Sequence, residues 1–161
     1  MNTRKLVLAS VFCAATVVLT RFVSFPVGGI AGTPAYIHPG DAVIFLSAFM
    51  LGPLPAAAIG GISGVIADVT AGAAIYALPT LIIKAAMAFA AGHFMKKSSF
   101  WRGMAGMLIG AAIMCFGYFI FEYFFFNPAA AIAALPFNLI QAAFGIAAGS
   151  ALIAALRKHK M

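Results

Sequence analysis

Nearly all the positive charge of this chain lies in three short clusters, and the stretches between them are almost entirely apolar. Only Arg21 and Lys84 fall elsewhere. The clusters stand at the start of the chain, past its middle and at its end: Arg4 and Lys5; Lys96, Lys97 and Arg102; Arg157, Lys158 and Lys160. The three acidic residues, Asp41, Asp68 and Glu122, all lie between clusters. Because Lys and Arg accumulate at the cytoplasmic ends of membrane helices, the clusters mark the cytoplasmic side and the carboxylates fall toward the opposite face.

Composition indicates that lipid is the solvent. Hydrophobic residues make up 65% of the chain and charged residues only 8%, too few polar groups to cover a soluble protein of this size. The net charge of +7 would also suit a nucleic-acid binder, but most basic residues end apolar runs, where they anchor helices at lipid headgroups. We therefore expect residues 1–161 to form a single membrane domain that does not bind nucleic acid.

Hydrophobic runs of about 20 residues predict membrane crossings at about 5–24, 79–95, 101–126 and 132–156. The stretch 41–71 is interrupted by Pro53 and Pro55, so it is either one broken helix or two helices. Two helices place all three basic clusters on one side, whereas one helix does not. The prediction is an all-α membrane protein with six transmembrane helices and cytoplasmic N- and C-termini. Its second helix, about 41–51, is short.

Two ionisable residues inside predicted helices are candidates for a binding site, because a charge within a membrane costs about 2.5–3.5 kcal/mol or more on insertion scales. Lys84 lies too deep in the fourth helix to be a headgroup anchor, and the alternative is an ion-paired or snorkelling lysine that only holds helices together. Glu122 lies near the outer end of the fifth helix, one turn beyond Tyr118. It is either part of a site or an interfacial carboxylate facing water.

Two amides on the sixth helix lie at a similar depth. Asn138 and Gln141 are three residues apart, so they share a helix face, and they either bond across helices or face a ligand. Together with Lys84 and Glu122 they suggest a pocket that opens outward and suits the ring nitrogens and polar substituents of a small heteroaromatic compound. The carboxylate of Glu122 would disfavour phosphorylated ligands.

The first outer loop, about 25–40, is rich in glycine and proline and is either a lid over this pocket or an inert connector. His38 and Asp41 flank its end. We expect Asp41 to cap the second helix, with a ligand contact as the alternative. Tyr36 and Tyr118 could stack on a planar ligand or belong to an interfacial aromatic belt.

The sequence contains no recognisable motif for catalysis or for a cofactor. Cys13 and Cys115 have no nearby Cys or His partner at metal spacing, so we expect packing roles for both and neither a metal nor a cofactor. No phosphate loop, zinc-protease helix or nucleophile elbow is recognisable, which indicates that the chain is not an enzyme and that energy for transport would come from another protein.

Small residues recur four apart in three predicted helices, a spacing that lets helix backbones approach closely. The pairs are Ser10 with Ala14, Gly60 with Gly64, and Gly145 with Gly149. They either pack helices within this chain or accept another membrane protein.

Three segments, together with the small size and the six predicted helices, carry a family resemblance. They are Gly40-Asp41-Ala42-Val43-Ile44-Phe45 leading to Leu51-Gly52-Pro53, Pro79-Thr80-Leu81-Ile82-Ile83-Lys84, and Pro136-Phe137-Asn138-Leu139-Ile140-Gln141. The chain resembles the substrate-binding S components of energy-coupling factor (ECF) vitamin transporters over most of its length. The resemblance is greatest to the group of riboflavin, hydroxymethylpyrimidine and pyridoxine carriers.

The resemblance implies an integral plasma-membrane protein of a prokaryote that binds a vitamin or vitamin precursor from outside. It also implies association with a transmembrane coupling protein and two cytoplasmic ATPase subunits. In this family the coupling protein docks on small residues of the first helix, and the matching positions here are Ala9 with Cys13 and Ser10 with Ala14. A membrane scaffold without a transported ligand is the alternative, and a self-sufficient channel or carrier is less favoured because no repeated halves are visible.

The charge clusters predict which loops face outward. A cysteine introduced at Gly32, with Cys13 and Cys115 replaced by Ala, should react with a membrane-impermeant thiol reagent in intact cells, whereas one at Ser98 should react only after permeabilisation. Labelling at Ser98 but not at Gly32 in intact cells would overturn the six-helix topology.

Overall fold

The computed structural model describes residues 3–30, 33–95 and 99–158. Six α-helices and one β-hairpin make up this part of the chain, and a short 3₁₀ turn, Ala74–Tyr76, precedes the fourth helix. The helices are α1 (Thr3–Phe22), α2 (Gly40–Leu51), α3 (Pro53–Thr70), α4 (Ala77–Phe94), α5 (Phe100–Phe125) and α6 (Pro128–Lys158); the strands are β1 (Phe25–Ile30) and β2 (Thr33–Ile37). The predicted number of helices is therefore confirmed.

A single glycine separates the second and third helices. Gly52 adopts a positive φ of 87°, and its N–H closes α2 on the Ala48 carbonyl at 3.1 Å. Pro53 then opens α3, a position where proline has no hydrogen bond to lose and its fixed φ suits the helix. The expectation that 41–71 holds two helices is confirmed.

The short helix α2 lies inside the bundle. Its 12 residues extend only about 18 Å, whereas the other five helices are long and apolar enough to span a membrane. Ile44, Phe45 and Ala48 on this helix are almost completely buried and join a core that includes Met87 and Met114. A helix surrounded by other helices does not need the length that lipid exposure demands.

Glycines hold the neighbouring helices at short distance. A side chain at Gly60 on α3 would meet the backbone carbonyl of Lys84 at 2.8 Å, and one at Gly149 on α6 would meet Phe45 at 3.3 Å. Gly145 lies equally close to Asp41. The small residues of α3 and α6 therefore pack helices within this chain, which was one of the two alternatives for them.

The first outer loop contains regular structure that the sequence did not predict. Strands β1 and β2 pair antiparallel, with Phe25 opposite Ile37 and an irregular register between Pro26 and Gly28. The fold is thus helical with one two-stranded addition. The glycine and proline content suggested an irregular loop, but backbone pairing between adjacent segments satisfies their N–H and C=O groups without requiring strand-forming side chains.

The acidic residues and the terminal basic clusters lie at opposite ends of the bundle, and Arg21 and Lys84 are the basic residues at the acidic end. Asp41 lies in the first turn of α2, Asp68 near the end of α3 and Glu122 near the end of α5, and because successive helices alternate in direction these three share the end that carries the hairpin. Arg4 and Arg157 lie at the other end. This is the segregation that the sequence predicted.

Helix α1 lies at the edge of the bundle, against α2 and α3. Thr16 and Thr20 are its buried residues, and they lie in the half of the helix nearer the hairpin. The opposite face is exposed over its whole length: Leu6, Val7, Ser10, Val11, Ala14, Val18 and Phe22. An apolar face of this kind suits lipid or another membrane protein.

Candidate functional site

A buried ion pair lies at the hairpin end of the bundle. The Lys84 ammonium on α4 contacts Asp41 Oδ1 on α2 at 2.5 Å, and the Gln141 amide on α6 donates to Asp41 Oδ2 at 2.8 Å. The Asp41 side chain is 1% exposed and that of Lys84 is 4% exposed. Both carboxylate oxygens of Asp41 are therefore occupied by partners from two other helices.

The expectation that Asp41 caps the second helix is wrong. Helix α2 begins at Gly40, the residue before it is Pro39, and no side chain caps this end by a hydrogen bond. A buried ammonium requires a counterion, and meeting that requirement stabilises the fold more than one capping bond, which is worth about 1 kcal/mol. Lys84 is therefore ion-paired, and its contact with a ligand stays a prediction.

Lys84 has further neighbours on α5. Its ammonium lies 3.0 Å from the Met114 sulfur and 5.8 Å from the centre of the Tyr118 ring, a cation–π distance. Gln141 also contacts the Met114 sulfur, at 3.8 Å. Lys84 on α4 thus contacts α2 and α5 directly, and Gln141 on α6 joins them through Asp41 and Met114. The predicted residues Lys84, Gln141 and Tyr118 therefore lie in one cluster.

A cavity of about 20 Å³ lies beside this cluster. Its lining comes from α1, the hairpin end and α2 to α5: Thr16, Thr20, His38, Asp41, Ile44, Ser63, Gly64, Asp68, Thr80, Lys84 and Tyr118. Sequence reasoning identified four of these as site candidates, namely His38, Asp41, Lys84 and Tyr118. It missed the hydroxyl groups and Asp68. The spacing of Thr16 and Thr20, four apart in an otherwise apolar helix, was an available signal.

Two contacts fasten the end of the hairpin to the bundle. The Tyr36 hydroxyl donates to Asp68 Oδ1 at 3.0 Å, and the Thr20 hydroxyl lies 3.3 Å from His38 Nδ1. That nitrogen also accepts the backbone N–H of Gly40 at 3.2 Å. Burial lowers the pKa of His38 to about 4, and nearby Lys84 also lowers it while Asp41 opposes the shift. His38 is therefore neutral at pH 7, as an acceptor at Nδ1 requires.

Glu122 lies in a second group. The Tyr76 hydroxyl donates to Glu122 Oε1 at 3.2 Å, while Oε2 is buried without a partner among the described residues. The side chain is 3% exposed, so the alternative of a water-facing carboxylate is wrong. The Tyr76 and Tyr118 rings, 6.3 Å apart, connect this group to the cavity. Glu122 itself does not line the cavity because it lies one helical turn, about 5 Å, beyond Tyr118.

Asn138 does not share the bonding partners of Gln141. Its Nδ2 is buried without a hydrogen-bond partner in the described part of the chain, and its backbone carbonyl lies 3.5 Å from the Cys115 sulfur. It does not line the cavity. The four polar residues expected around one ligand are thus divided, with Lys84 and Gln141 in the ion-pair cluster and Glu122 and Asn138 outside it.

Comparison with known proteins identifies the family. The family of the ECF-type riboflavin transporter, S component, matches residues 1–158. This chain belongs to that family. The match confirms the family resemblance seen in the sequence. An S component is an integral membrane protein and one subunit of an energy-coupling factor transporter, in agreement with the long apolar helices.

Two relatives share a third of their sequence with this S component. One is the thiamine precursor transporter HmpT of Lactococcus lactis subsp. cremoris (strain MG1363), 33% identical over 144 residues, which are 89% of this chain and 82% of HmpT. The other is an uncharacterized protein in the gap 3′ region of Pyrococcus woesei, 33% identical over 146 residues, 90% of this chain and 96% of that protein. Both alignments cover most of either chain.

The ion pair predicts strong coupling between Asp41 and Lys84. Lys84→Met should destabilise the S component by about 3–5 kcal/mol, because it leaves a buried carboxylate without its counterion. The double variant Asp41→Asn with Lys84→Met should recover much of that loss, since the amide that replaces the carboxylate is neutral and can still bond Gln141. Thermal unfolding in detergent, analysed as a double-mutant cycle, measures the coupling. Losses that simply add would contradict it.

Proposed function

We propose that this S component binds a small, neutral, unphosphorylated vitamin or vitamin precursor at the hairpin end and carries it into the cell as part of an ECF-type importer. The family match over residues 1–158 is the observation that supports this most strongly. The name of HmpT adds support for a vitamin precursor as the class of ligand. A membrane scaffold without a ligand is less favoured, because it would have no need for a cavity lined by charged and hydroxyl groups.

Four of the residues proposed to contact the ligand line the cavity: His38, Asp41, Lys84 and Tyr118. Tyr36 and Gln141 lie beside it through their bonds to Asp68 and Asp41, and Glu122 and Asn138 form a more distant rim. Asp41 and Lys84 neutralise each other, which favours a neutral ligand, and the Tyr118 ring offers a surface for stacking. No catalytic step is assigned to this chain, and two ATPase subunits supply the energy.

The cavity must enlarge before it can hold a vitamin. About 20 Å³ holds one water molecule, whereas small-molecule pockets measure about 300–1,000 Å³. The hairpin is the element that we propose to move, and the contacts of Tyr36 with Asp68 and of Thr20 with His38 would open when it does. We therefore assign the hairpin the role of a lid, which was one of the two expectations for this loop.

A co-purified ligand tests the proposal directly. The S component, purified in mild detergent and then denatured, should release a vitamin-sized compound close to one per chain, detected by mass spectrometry. Titration calorimetry of ligand-free protein with riboflavin, a hydroxymethylpyrimidine and pyridoxine should show tight binding of one of them. Absence of any stoichiometric compound, together with no binding of the three, would favour the scaffold alternative.

The exposed face of α1 is the proposed docking surface for the coupling protein. Ser10 and Ala14 are exposed on this face, and Ala9 and Cys13 are partly buried beside them. None of these side chains is needed by the cavity, which α1 reaches through Thr16 and Thr20. Small side chains on an unoccupied helix face permit the close backbone approach by which membrane helices associate.

Bulky residues on this face should separate docking from ligand binding. Ser10→Trp and Ala14→Trp should reduce co-purification of the coupling protein at least tenfold while the ligand affinity changes less than twofold. Ala143→Trp, which places the same bulk at an exposed alanine of α6, is the matched control and should retain the partner. If the α1 variants kept the coupling protein and lost the ligand, this face would belong to internal packing.

A further inference from the structure

We propose that Asp68 selects the ligand, and that it selects a neutral nitrogen heterocycle carrying an amino group next to a ring nitrogen. Its Oδ2 would accept a hydrogen bond from the amino group. The inference rests on the proposed function, because it names the class of ligand for the same cavity. Sequence reasoning noted Asp68 as one of three acids but gave it no role.

Asp68 combines burial with an unused acceptor. The residue is 9% exposed and lines the cavity. Its Oδ1 accepts the Tyr36 hydroxyl at 3.0 Å, whereas its Oδ2 is buried without a hydrogen-bond partner among the residues that the structure describes. A buried oxygen of this kind loses its contact with water and gains nothing in return until a donor arrives. A ligand N–H in the cavity would supply that donor.

The other carboxylate of the cavity is not available in this way. Asp41 has Lys84 on one oxygen and Gln141 on the other, so its acceptors are already occupied. Because the charges of Asp41 and Lys84 cancel, Asp68 is the remaining acidic side chain of the cavity lining. Its unused oxygen favours hydrogen-bond donors and disfavours phosphate and carboxylate groups on the ligand.

A hydroxyl pair beside Asp68 supplies the complementary donor. Thr80 and Tyr118 share one hydrogen bond, with their oxygens 3.0 Å apart, and both line the cavity. When Thr80 donates in that pair, the Tyr118 hydroxyl retains a proton for a ligand acceptor. The Thr80 hydroxyl also faces the Asp68 carboxylate. Acceptor and donor therefore lie next to each other, which is the pattern required by an amino group adjacent to an unprotonated ring nitrogen.

The same arrangement excludes the oxo analogue of such a ring. A carbonyl in place of the amino group would set its oxygen against Asp68 Oδ2, two acceptors without a proton between them. Buried polar groups left unpaired in this way give stronger discrimination than differences in apolar contact. Selection would thus depend on whether the group facing Asp68 is a hydrogen-bond donor or an acceptor, rather than on the size of the ring.

Calorimetry with two matched ligands tests the inference. The probes are 4-amino-5-hydroxymethyl-2-methylpyrimidine and its 4-oxo analogue, titrated into the full-length S component in detergent. The wild-type protein should bind the amino compound at least tenfold more tightly. Asp68→Asn keeps an oxygen for Tyr36 and turns an NH₂ donor toward the cavity, so it should weaken the amino compound at least tenfold and reverse the preference.

A second variant separates selection from a structural role. Tyr36→Phe removes the partner of Oδ1 and leaves Oδ2 unchanged, so both affinities should fall by a similar factor and the preference for the amino compound should persist. If Asp68→Asn bound both compounds with the affinities of the wild type, Asp68 would not select the ligand and the inference would be overturned. If that variant failed to fold, the wild-type preference alone would decide, and equal affinities would overturn the inference.

The outcomes also separate this inference from the proposed function. A stoichiometric vitamin without a ring amino group, recovered from a wild-type protein that binds neither pyrimidine, would overturn the role of Asp68 and leave the transport function in place. Absence of any bound compound and of any binding would overturn the transport function itself.

Discussion

The buried contact between Asp41 and Lys84 is the interaction on which the hairpin end of this S component depends. A lysine ammonium in the low-dielectric interior of a membrane protein is stable only with a counterion and further polar partners. Asp41 supplies the charge, and Gln141 bonds the second carboxylate oxygen. Because these residues belong to α4, α2 and α6, one electrostatic requirement fixes the relative position of three helices.

The short helix α2 follows from the same requirement. Its first turn carries Asp41 to the level of Lys84, and its remaining turns bury Ile44, Phe45 and Ala48 in the apolar core. Gly145 lies against Asp41 and so lets α6 approach α2 at that point. Successive turns of α2 therefore contribute first to the polar cluster and then to the tightly packed core.

Helix α1 carries two surfaces for which we propose different roles. Thr16 and Thr20 on its inner side line the cavity, and Ser10 and Ala14 on its outer side face away from α2 and α3. The two surfaces are about one to two helical turns apart along a rigid element. A shift of α1 would therefore move both surfaces together. Such a shift is a physical route by which ligand binding could affect association with a partner.

The sequence by itself determined the membrane class, the six helices and the separation of charge between the two ends, because these follow from hydropathy and from local signals such as Pro53 after Gly52. The tertiary structure decided the site. Asp41 and its partners are 43 and 100 residues apart along the chain, and Asp68 meets Tyr36 across 32 residues. No local pattern encodes such pairings, since burial and the need to neutralise charge select the partners only once the helices have packed.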